Sequence, residues 1–420
     1  MARLLVIALL AEIGYAVLNI STMQVYLRYD RGFGESFIGL VLVAFLLSEA
    51  VFKSPMGHLA DRFGRRLLMT LGPAMSVATS LLTILVPHGW GLAERFSFIG
   101  LRMIDGLGAA MLWPAAFAAM GDTVEDRDRQ QAMSLLNLCY MLGIALALPI
   151  GGIVNDLSGN KWASLILSSA LFGAVSLSAC RLAPTAPPSS PAVGDGMHTD
   201  LNVRALVSSA RQIPGYLALA VITFMGIGFP MPIIKIFAQD QFGMSESAFG
   251  GLVFPGAIAM AVLSVPMSRY AERIGRARAV HVGMGLCAFG LWIVASGAAS
   301  LKLPALGQAW VFALGGIPVG VGFLLAIPAW MASVSDIDCQ RRGLNLGAVM
   351  TAQGVGAMIG ASSGGVLYEV FRPIGRVLGL GEPFGHYAPF LGCALCVSLG
   401  WLLSMRILRA PRAPKVAPVN

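Results

Sequence analysis

The stretch that decides the fold is P-M-G-H-L-A-D-R-F-G-R-R, residues 55–66, because a close copy occurs in the second half of the chain. The copy is P-M-S-R-Y-A-E-R-I-G-R-A, residues 266–277, and it begins 211 positions later. The proline, the alanine, two arginines and a glycine recur at matching positions, and Asp61 becomes Glu272. A repeat at a fixed offset indicates a duplicated structural unit.

Two further matches lie at nearly the same offset. Pro114-Ala115 and Asp122 recur as Pro328-Ala329 and Asp336, 214 positions later. Gly143, Ala147 and Gly151 match Gly356, Gly360 and Gly364, 213 positions later. Small residues at this spacing form a stripe that lets membrane helices pack closely. Three separated matches predict that the two halves share one fold.

The composition is that of a membrane protein. Hydrophobic residues make up 56% of the 420 residues and charged residues 12%, about half of the roughly 25% usual in soluble proteins. The mean hydropathy is +0.75. A soluble protein of this size needs more charges to cover its surface, so the sequence predicts an all-α polytopic membrane protein.

Twelve stretches are long and apolar enough to cross a membrane, which takes about 20 residues. They are 4–25, 37–57, 67–87, 96–118, 131–152, 162–182, 214–236, 247–268, 279–298, 308–333, 343–366 and 387–408. The predicted fold is therefore twelve transmembrane helices in two pseudo-symmetric six-helix bundles. Such duplicated bundles are typical of transporters.

The basic residues predict the orientation. With both termini cytoplasmic, the cytoplasmic segments hold more than twice as many Lys and Arg residues as the other side. Cytoplasmic loops collect these residues, so we expect both termini to be cytoplasmic. The net charge of +8 then reflects topology, and its spread over short segments argues against a nucleic-acid partner. Glu12 inside the first apolar run favours a span over a signal peptide.

The predicted domains follow from these spans. Residues 1–182 form the N-terminal bundle and residues 214–409 the C-terminal bundle. Between them, residues 183–213 include a proline-rich stretch that predicts an extended cytoplasmic linker. Residues 410–420 form a cytoplasmic tail.

The chain resembles the major facilitator superfamily, and the resemblance covers nearly all of it. Residues 57–66, G-H-L-A-D-R-F-G-R-R, are similar to the family's loop motif between spans 2 and 3. Residues 102–110, R-M-I-D-G-L-G-A-A, resemble its span 4 motif R-x-x-Q-G-x-G-A-A, with Asp105 in place of Gln. The set is most similar to the twelve-span drug:proton antiporters. The stretch L-P-I-G-G at 148–152 departs from their G-P-x-x-G-G in span 5.

The resemblance implies a conformational latch at the cytoplasmic face. In it, Gly57 lets two helices approach, Asp61 faces the start of span 11 and Arg65 pairs with Asp122. The repeat supplies a second set. It consists of Glu272, Arg276 and Asp336. The latch would hold the outward-open state and break as the halves rock, whereas the alternative is ordinary cytoplasmic loop charge.

Five charged residues fall inside predicted spans, all in the N-terminal half. They are Glu12, Glu49, Lys53, Arg102 and Asp105. Intramembrane charges are costly and mark functional sites. Glu12 is a candidate for proton coupling or substrate contact, and the alternative is a structural Glu neutralised by Arg102.

Several further residues are assigned with less support from the pattern. Arg102 and Asp105 share a helix face, so they form either a proton switch or a permanent pair. Glu49 and Lys53 are spaced for a structural pair, although Lys53 can also extend to the interface. The other candidates for the cavity are Glu49, Tyr15, Asn19, Tyr140, Asn345 and Gln353. Lys235, at the outer end of span 7, is expected to extend its ammonium group to water.

These features predict a secondary active transporter that exports a small organic or amphipathic solute in exchange for protons. The alternative is a proton symporter or uniporter that takes up a metabolite such as a sugar or organic acid. A membrane-embedded enzyme or receptor is a third class, but the only polar cluster is Glu12, Arg102 and Asp105. No ATP-binding, metal or dinucleotide motif is present, so neither a cofactor nor a metal is predicted. We expect a monomer among membrane lipids in the plasma or inner membrane.

Overall fold

The computed structural model describes residues 1–125, 129–182, 213–299, 303–335, 337, 342–377 and 382–408. Within these residues the regular structure consists of helices. Ten helices are long and apolar enough to cross a membrane, and Pro214–Gly228 is a shorter apolar helix. The predicted linker, the tail and Asp336 lie outside the described residues, and twelve spans stay a prediction.

The described residues of the N-terminal half form six helices. They are α1 (Ala2–Asp30), α2 (Glu35–Phe63), α3 (Arg65–Leu85), α4 (Leu92–Thr123), α5 (Arg129–Ser158) and α6 (Ala163–Cys180). In α1, the α-helical part Ala2–Ala16 is followed by π-helical turns at Val17–Thr22 and Tyr26–Asp30. Each helix covers one predicted span with its ends shifted by a few residues.

The C-terminal half begins in the predicted span 214–236, which the structure divides into two helices, α7 (Pro214–Gly228) and α8 (Ile234–Phe242). Pro230 and Pro232 lie in the break, and proline lacks the backbone N–H that would continue a helix. The later helices are α9 (Glu246–Ile274), α10 (Arg276–Ser296), α11 (Ala305–Ser335), α12 (Arg342–Val377), α13 (Glu382–His386) and α14 (Ala388–Ile407).

The two halves repeat the same internal packing. In the first, α1 contacts α5 and α6, α4 contacts α2 and α3, and α3 contacts α6. In the second, α7 contacts α12 and α14, α11 contacts α9 and α10, and α10 contacts α14. The sharp turns within the repeated motif also match, because Gly64 and Gly275 adopt φ of 92° and 86°. Only glycine adopts such angles readily.

Among the described residues, the halves meet mainly through α2 with α12 and α5 with α9, and α1 also contacts α8. Close contacts lie where α2 and α9 begin. A Cβ added at Gly39 would lie 2.5 Å from the Ala361 carbonyl oxygen, and one at Gly250 would lie 2.5 Å from the Pro149 Cα. The inter-half hydrogen bonds of the described residues also lie at this end, which we call the closed end.

The bundles diverge toward the opposite end. There, α2 exposes residues 50–54 and α9 exposes residues 258–260, although the first turns of both helices pack across the interface. Met1 and the turns at Gly64 and Gly275 lie at the same end. We call it the open end.

Candidate functional site

A buried polar cluster lies inside the N-terminal bundle, between α1, α3 and α4. Arg102 donates from Nη1 to Asp105 Oδ2 at 3.1 Å and from Nη2 to Thr83 Oγ1 at 3.2 Å. Thr79 Oγ1 donates to Asp105 Oδ1 at 3.2 Å. Arg102 is 1% exposed and Asp105 is fully buried. The ion pair is therefore held by helix hydroxyl groups, and either member would be costly to leave unpaired.

Two glycines make this cluster possible. A Cβ added at Gly108 would lie 2.7 Å from the Gly72 carbonyl oxygen, and one at Gly72 would meet the Gly108 carbonyl oxygen. The backbones of α3 and α4 therefore cross in direct contact. This crossing brings the hydroxyl side of α3, including Thr79, against Asp105. The second glycine of the G-x-G in the span 4 motif, Gly108, is thus explained by the close crossing of α3 and α4.

Tyr15 and Asn19 belong to the bundle interior. The Tyr15 hydroxyl and Ser76 Oγ are 3.1 Å apart, and Asn19 Nδ2 donates to the Tyr15 carbonyl oxygen at 3.0 Å. Asn19 and Arg102 also line a cavity of about 10 Å³ that reaches Pro232 of the other half. The predicted cavity residues of α1 therefore connect the buried polar cluster to the interface between the halves.

Glu12 lies apart from the Arg102–Asp105 pair. It is 5% exposed, and its Cβ faces α5, where a Cβ added at Gly143 would lie 2.6 Å away. Within the described residues, no hydrogen bond or ion pair holds its carboxylate. The guanidinium of Arg102 instead binds Asp105 and Thr83. The geometry therefore does not favour a Glu12 neutralised by Arg102.

Glu49 and Lys53 form an ion pair of 2.9 Å on α2, at the open end. The Lys53 side chain is 47% exposed, so the pair contributes little to stability. The other candidates are scattered. Tyr140 stacks edge-on against Trp113 with ring centroids 5.0 Å apart, Asn345 is buried near the start of α12, and Gln353 is half-buried.

The latch residues lie at the open end. Arg65 forms an ion pair with Asp122, donates to the Ala118 carbonyl oxygen at 2.6 Å and lies 3.7 Å from Asp61. Gly57 faces Pro114, whose Cβ would lie 3.5 Å from a Cβ at this glycine. These contacts join α2, α3 and α4 within one half.

The second half repeats this arrangement. Arg276 donates to the Ala332 carbonyl oxygen at 3.4 Å, and Ala332 lies 214 positions after Ala118. Glu272 is exposed beside it. Asp336, the predicted partner of Arg276, lies outside the described residues. Arg65 therefore reaches the last turns of α4, and Arg276 reaches the last turns of α11, the corresponding helix of the second half.

The glycine stripes pack each bundle. Gly143 and Gly151 of α5 face α1, where a Cβ would meet Glu12 and Ser21. Gly356, Gly360 and Gly364 of α12 face α7 and its continuation, where a Cβ would meet the backbone carbonyl oxygens of Val221, Met225 and Phe229. The repeated stripes thus serve the same helix pair in both halves.

The expectation for Lys235 was wrong. Its side chain is 1% exposed, and Nζ donates to Glu246 Oε2 and Ser21 Oγ at 2.7 Å each. Glu246 also accepts hydrogen bonds from Lys161 Nζ at 2.7 Å and from Asn155 Nδ2 at 3.1 Å. The ammonium is drawn inward because a buried carboxylate and partners from the other half surround it.

A second set of charges at the closed end was also missed. Glu35, 2% exposed, pairs with Arg28 at 3.2 Å and with Arg372 of the other half at 3.7 Å. Arg372 also pairs with Asp240 at 2.6 Å. One signal was available in the sequence, because Glu35 and Glu246 are 211 positions apart and each begins a helix.

The C-terminal bundle has no counterpart of the buried polar cluster among its described residues. At the repeat offsets, Glu12, Ser76 and Asp105 correspond to Thr223, Cys287 and Val319. These three residues line an apolar cavity of about 160 Å³ between α7, α10, α11 and α14. At these matching positions, the ionisable residues of the described chain thus belong to the N-terminal bundle.

The duplicated bundles have a counterpart in a known family. The Major Facilitator Superfamily model matches residues 4–217 and again residues 216–419. The chain belongs to the major facilitator superfamily. The predicted resemblance is confirmed, and the two matches coincide with the two halves.

Curated relatives of this superfamily member are transport and resistance proteins. Multidrug resistance protein 1 of Bacillus subtilis is 21% identical over 87% of this chain and 87% of its own length. The inner membrane transport protein YajR of Escherichia coli is 30% identical over 31% of this chain and 27% of its length. Multidrug resistance protein MdtL of Escherichia coli O157:H7 is 30% identical over 40% of this chain and 41% of its length.

Solved structures share the fold. A bacterial homologue of the human lysosomal transporter Spinster, inward-facing and unoccupied, superposes with a TM-score of 0.77 at 15% identity, covering 98% of both chains. A mutant of the nucleoside transporter NupG gives 0.76 at 13% identity, covering 97% of this chain and 99% of the other. Together with the family match, the apolar helices make this superfamily member a multi-pass membrane protein and a transporter rather than an enzyme.

Proposed function

We propose that the protein works by alternating access and exports a small organic or amphipathic solute in exchange for protons. The observation that carries the proposal is the difference between the two ends of the molecule. The bundles pack together at the closed end and diverge at the open end. A transporter with its site between two rocking bundles must pass through such a state.

The basic residues suggest which side is open. The loop after α2 and the end of α9 carry arginine clusters at the open end, and cytoplasmic loops collect such residues. The open end then faces the cytoplasm, with both termini on that side. The Spinster homologue named above, which is inward-facing in its own structure, has the same overall arrangement.

Two carboxylates are suited to carry the proton. Glu12 is buried without a hydrogen-bond partner among the described residues, so protonation would remove an uncompensated charge. Asp105 is paired with Arg102, so it can exchange the guanidinium for a proton when the helices shift. The apolar cavity of the C-terminal bundle and the names of the drug-resistance relatives support an amphipathic solute.

Transport in proteoliposomes tests this proposal. A thermal-shift screen of the purified protein against drugs, sugars and organic acids selects the solute that stabilises it most. That solute is then added to vesicles containing a pH-sensitive dye. Antiport moves protons opposite to the solute, symport moves them in the same direction, and a uniporter moves none.

The variants Glu12→Gln and Asp105→Asn should abolish proton-coupled transport. Both amides keep the shape of the acid, so the protein should fold, although Asp105→Asn should be less stable because Arg102 loses its charged partner. Asp30→Asn, at an exposed acid of the closed end, serves as the matched control and should transport normally. Full proton-coupled transport in both test variants would refute the assignment of the proton sites.

A further inference from the structure

The closed end is built twice, from the same residue types at the same repeat offsets. Helix α2 begins with Glu35-Ser36 and helix α9 with Glu246-Ser247, 211 positions later. The first backbone N–H groups of a helix have no partner within that helix. Each serine therefore presents a backbone N–H that another group can bind.

A carboxylate of the opposite half binds each of these amides. Glu369 Oε2, on α12, accepts the Ser36 backbone N–H at 3.1 Å and the Ser36 hydroxyl at 2.6 Å. Asp156 Oδ2, on α5, accepts the Ser247 backbone N–H at 2.9 Å. Asp156 and Glu369 are 213 positions apart. Each half thus places an acid at the positive end of a helix of the other half, where a negative charge is favoured.

A glycine one turn before each acid permits this approach. Gly152 precedes Asp156 by four residues, and Gly365 precedes Glu369 by four. A Cβ added at Gly152 would lie 2.5 Å from the Glu246 carbonyl oxygen, and one at Gly365 would meet the Glu35 carbonyl oxygen. Residues four apart share a helix face. The pattern G-x-x-x-Asp/Glu therefore brings the backbones together and aims the carboxylate at the opposing helix.

We propose that Asp156 and Glu369 are positioning residues that form a duplicated lock, each capping one helix of the opposite half and holding the closed end shut. The proposal rests on the alternating access described above. Because the bundles move as units, both caps break when the closed end opens. The lock acts through the N-termini of α2 and α9 and needs no contact with the solute.

Hydrogen exchange measured by mass spectrometry tests the lock on the unlabelled, full-length protein without solute. Removal of one helix-capping side chain changes an equilibrium by about tenfold. We therefore expect about tenfold faster exchange at the starts of α2 and α9 in Asp156→Ala or Glu369→Ala. The double variant should show about a hundredfold change.

The decisive measurement compares hydrogen-exchange protection at the two ends of the molecule. As the closed end loses protection, the facing parts of α2 and α9 at the open end should gain it, because the bundles rock together. The acid exchanges Asp156→Glu and Glu369→Asp, which each install the acid of the other half, should restore most of the protection. Faster exchange confined to the closed end, or no change in the double variant, would overturn the lock.

Transport by the same variants separates the lock from the proposed function. The variants should still bind the selected solute but turn over more slowly, because return to the state described here is disfavoured. If the wild-type protein moves no protons but the reciprocal shift appears, the lock stands and the antiport proposal fails. If the wild type exchanges protons for solute and the shift is absent, the lock fails alone.

Discussion

The buried carboxylate of Glu246 should be worth more to the fold than either of its cationic partners. It receives Lys161, Lys235 and Asn155 at 2.7, 2.7 and 3.1 Å. Glu246→Met removes all three contacts and leaves the Lys235 ammonium, 1% exposed, with Ser21 alone. An uncompensated buried charge of this kind costs about 3–5 kcal/mol.

Lys235→Met should cost less, because Glu246 keeps Lys161 and Asn155. One charge-assisted bond is lost, which amounts to about 1.5–3 kcal/mol. In the double variant both members of the buried pair are gone, so no ammonium is left without its carboxylate. We therefore expect the double variant to be more stable than Glu246→Met alone, with a coupling energy of at least about 1 kcal/mol.

Unfolding of the four proteins in the same detergent measures these differences. Thermal melting gives the order of stability, and titration with a denaturing detergent gives the free energies. The expected order, from most to least stable, is wild type, Lys235→Met, the double variant and Glu246→Met. If the costs of the two single variants simply add in the double variant, the ion pair does not carry the stability and the reasoning is refuted.

Three further predictions follow from single contacts. Gly360→Val should destabilise the packing of α12 on α7 by about 1–3 kcal/mol through overpacking. The control is Gly354→Ala in the same helix, which should melt like the wild type because a Cβ there meets nothing within 4 Å. Arg65→Gln should lose the ion pair with Asp122, and because that pair joins helices of one half, we expect a lower melting temperature with little change in inter-half distances. Glu369 lies beyond the predicted span 343–366. Hydrogen bonds from Ser36 hold the pKa of its carboxyl group below the usual range. Its contribution to the closed end is therefore present at neutral pH and lost as the pH falls through that lowered pKa. After correction for the intrinsic exchange rate at each pH, the protection of the start of α2 should fall on acidification less steeply in Glu369→Gln than in the wild type.

The repeat and the helices were predictable from the sequence because they depend on local patterns. An apolar run of membrane length specifies a helix wherever it occurs, and the predicted run 37–57 lies within Glu35–Phe63. Span 7 is less regular, because its helix is interrupted between α7 and α8 at the prolines 230 and 232, whereas its apolar composition is uniform across the break.

The closed end was not predicted, although its signals exist. Ser36 and Ser247, and likewise Gly39 and Gly250, are each 211 positions apart. Single matching residues of this kind carry little information before the contacts between the halves are known. The burial of Lys235 depends on contacts between the halves, because Ser21 and the residues Asn155 and Lys161 around its partner Glu246 belong to the other half. Which end is closed depends on packing between the halves, and the repeat alone does not specify it.

The arrangement of charges at the closed end also explains how such an end can open. Glu35 and Glu246 each have one cation from their own half, Arg28 and Lys235, besides the cation from the other half. When the halves separate, the contacts within each half persist, so neither glutamate is left without a cation. The change in free energy is then set by the inter-half bonds and the two helix caps, not by the rupture of isolated buried pairs. Duplicated contacts of moderate strength, each backed by a contact within one half, allow two packings of the same bundles to differ by only a few kcal/mol.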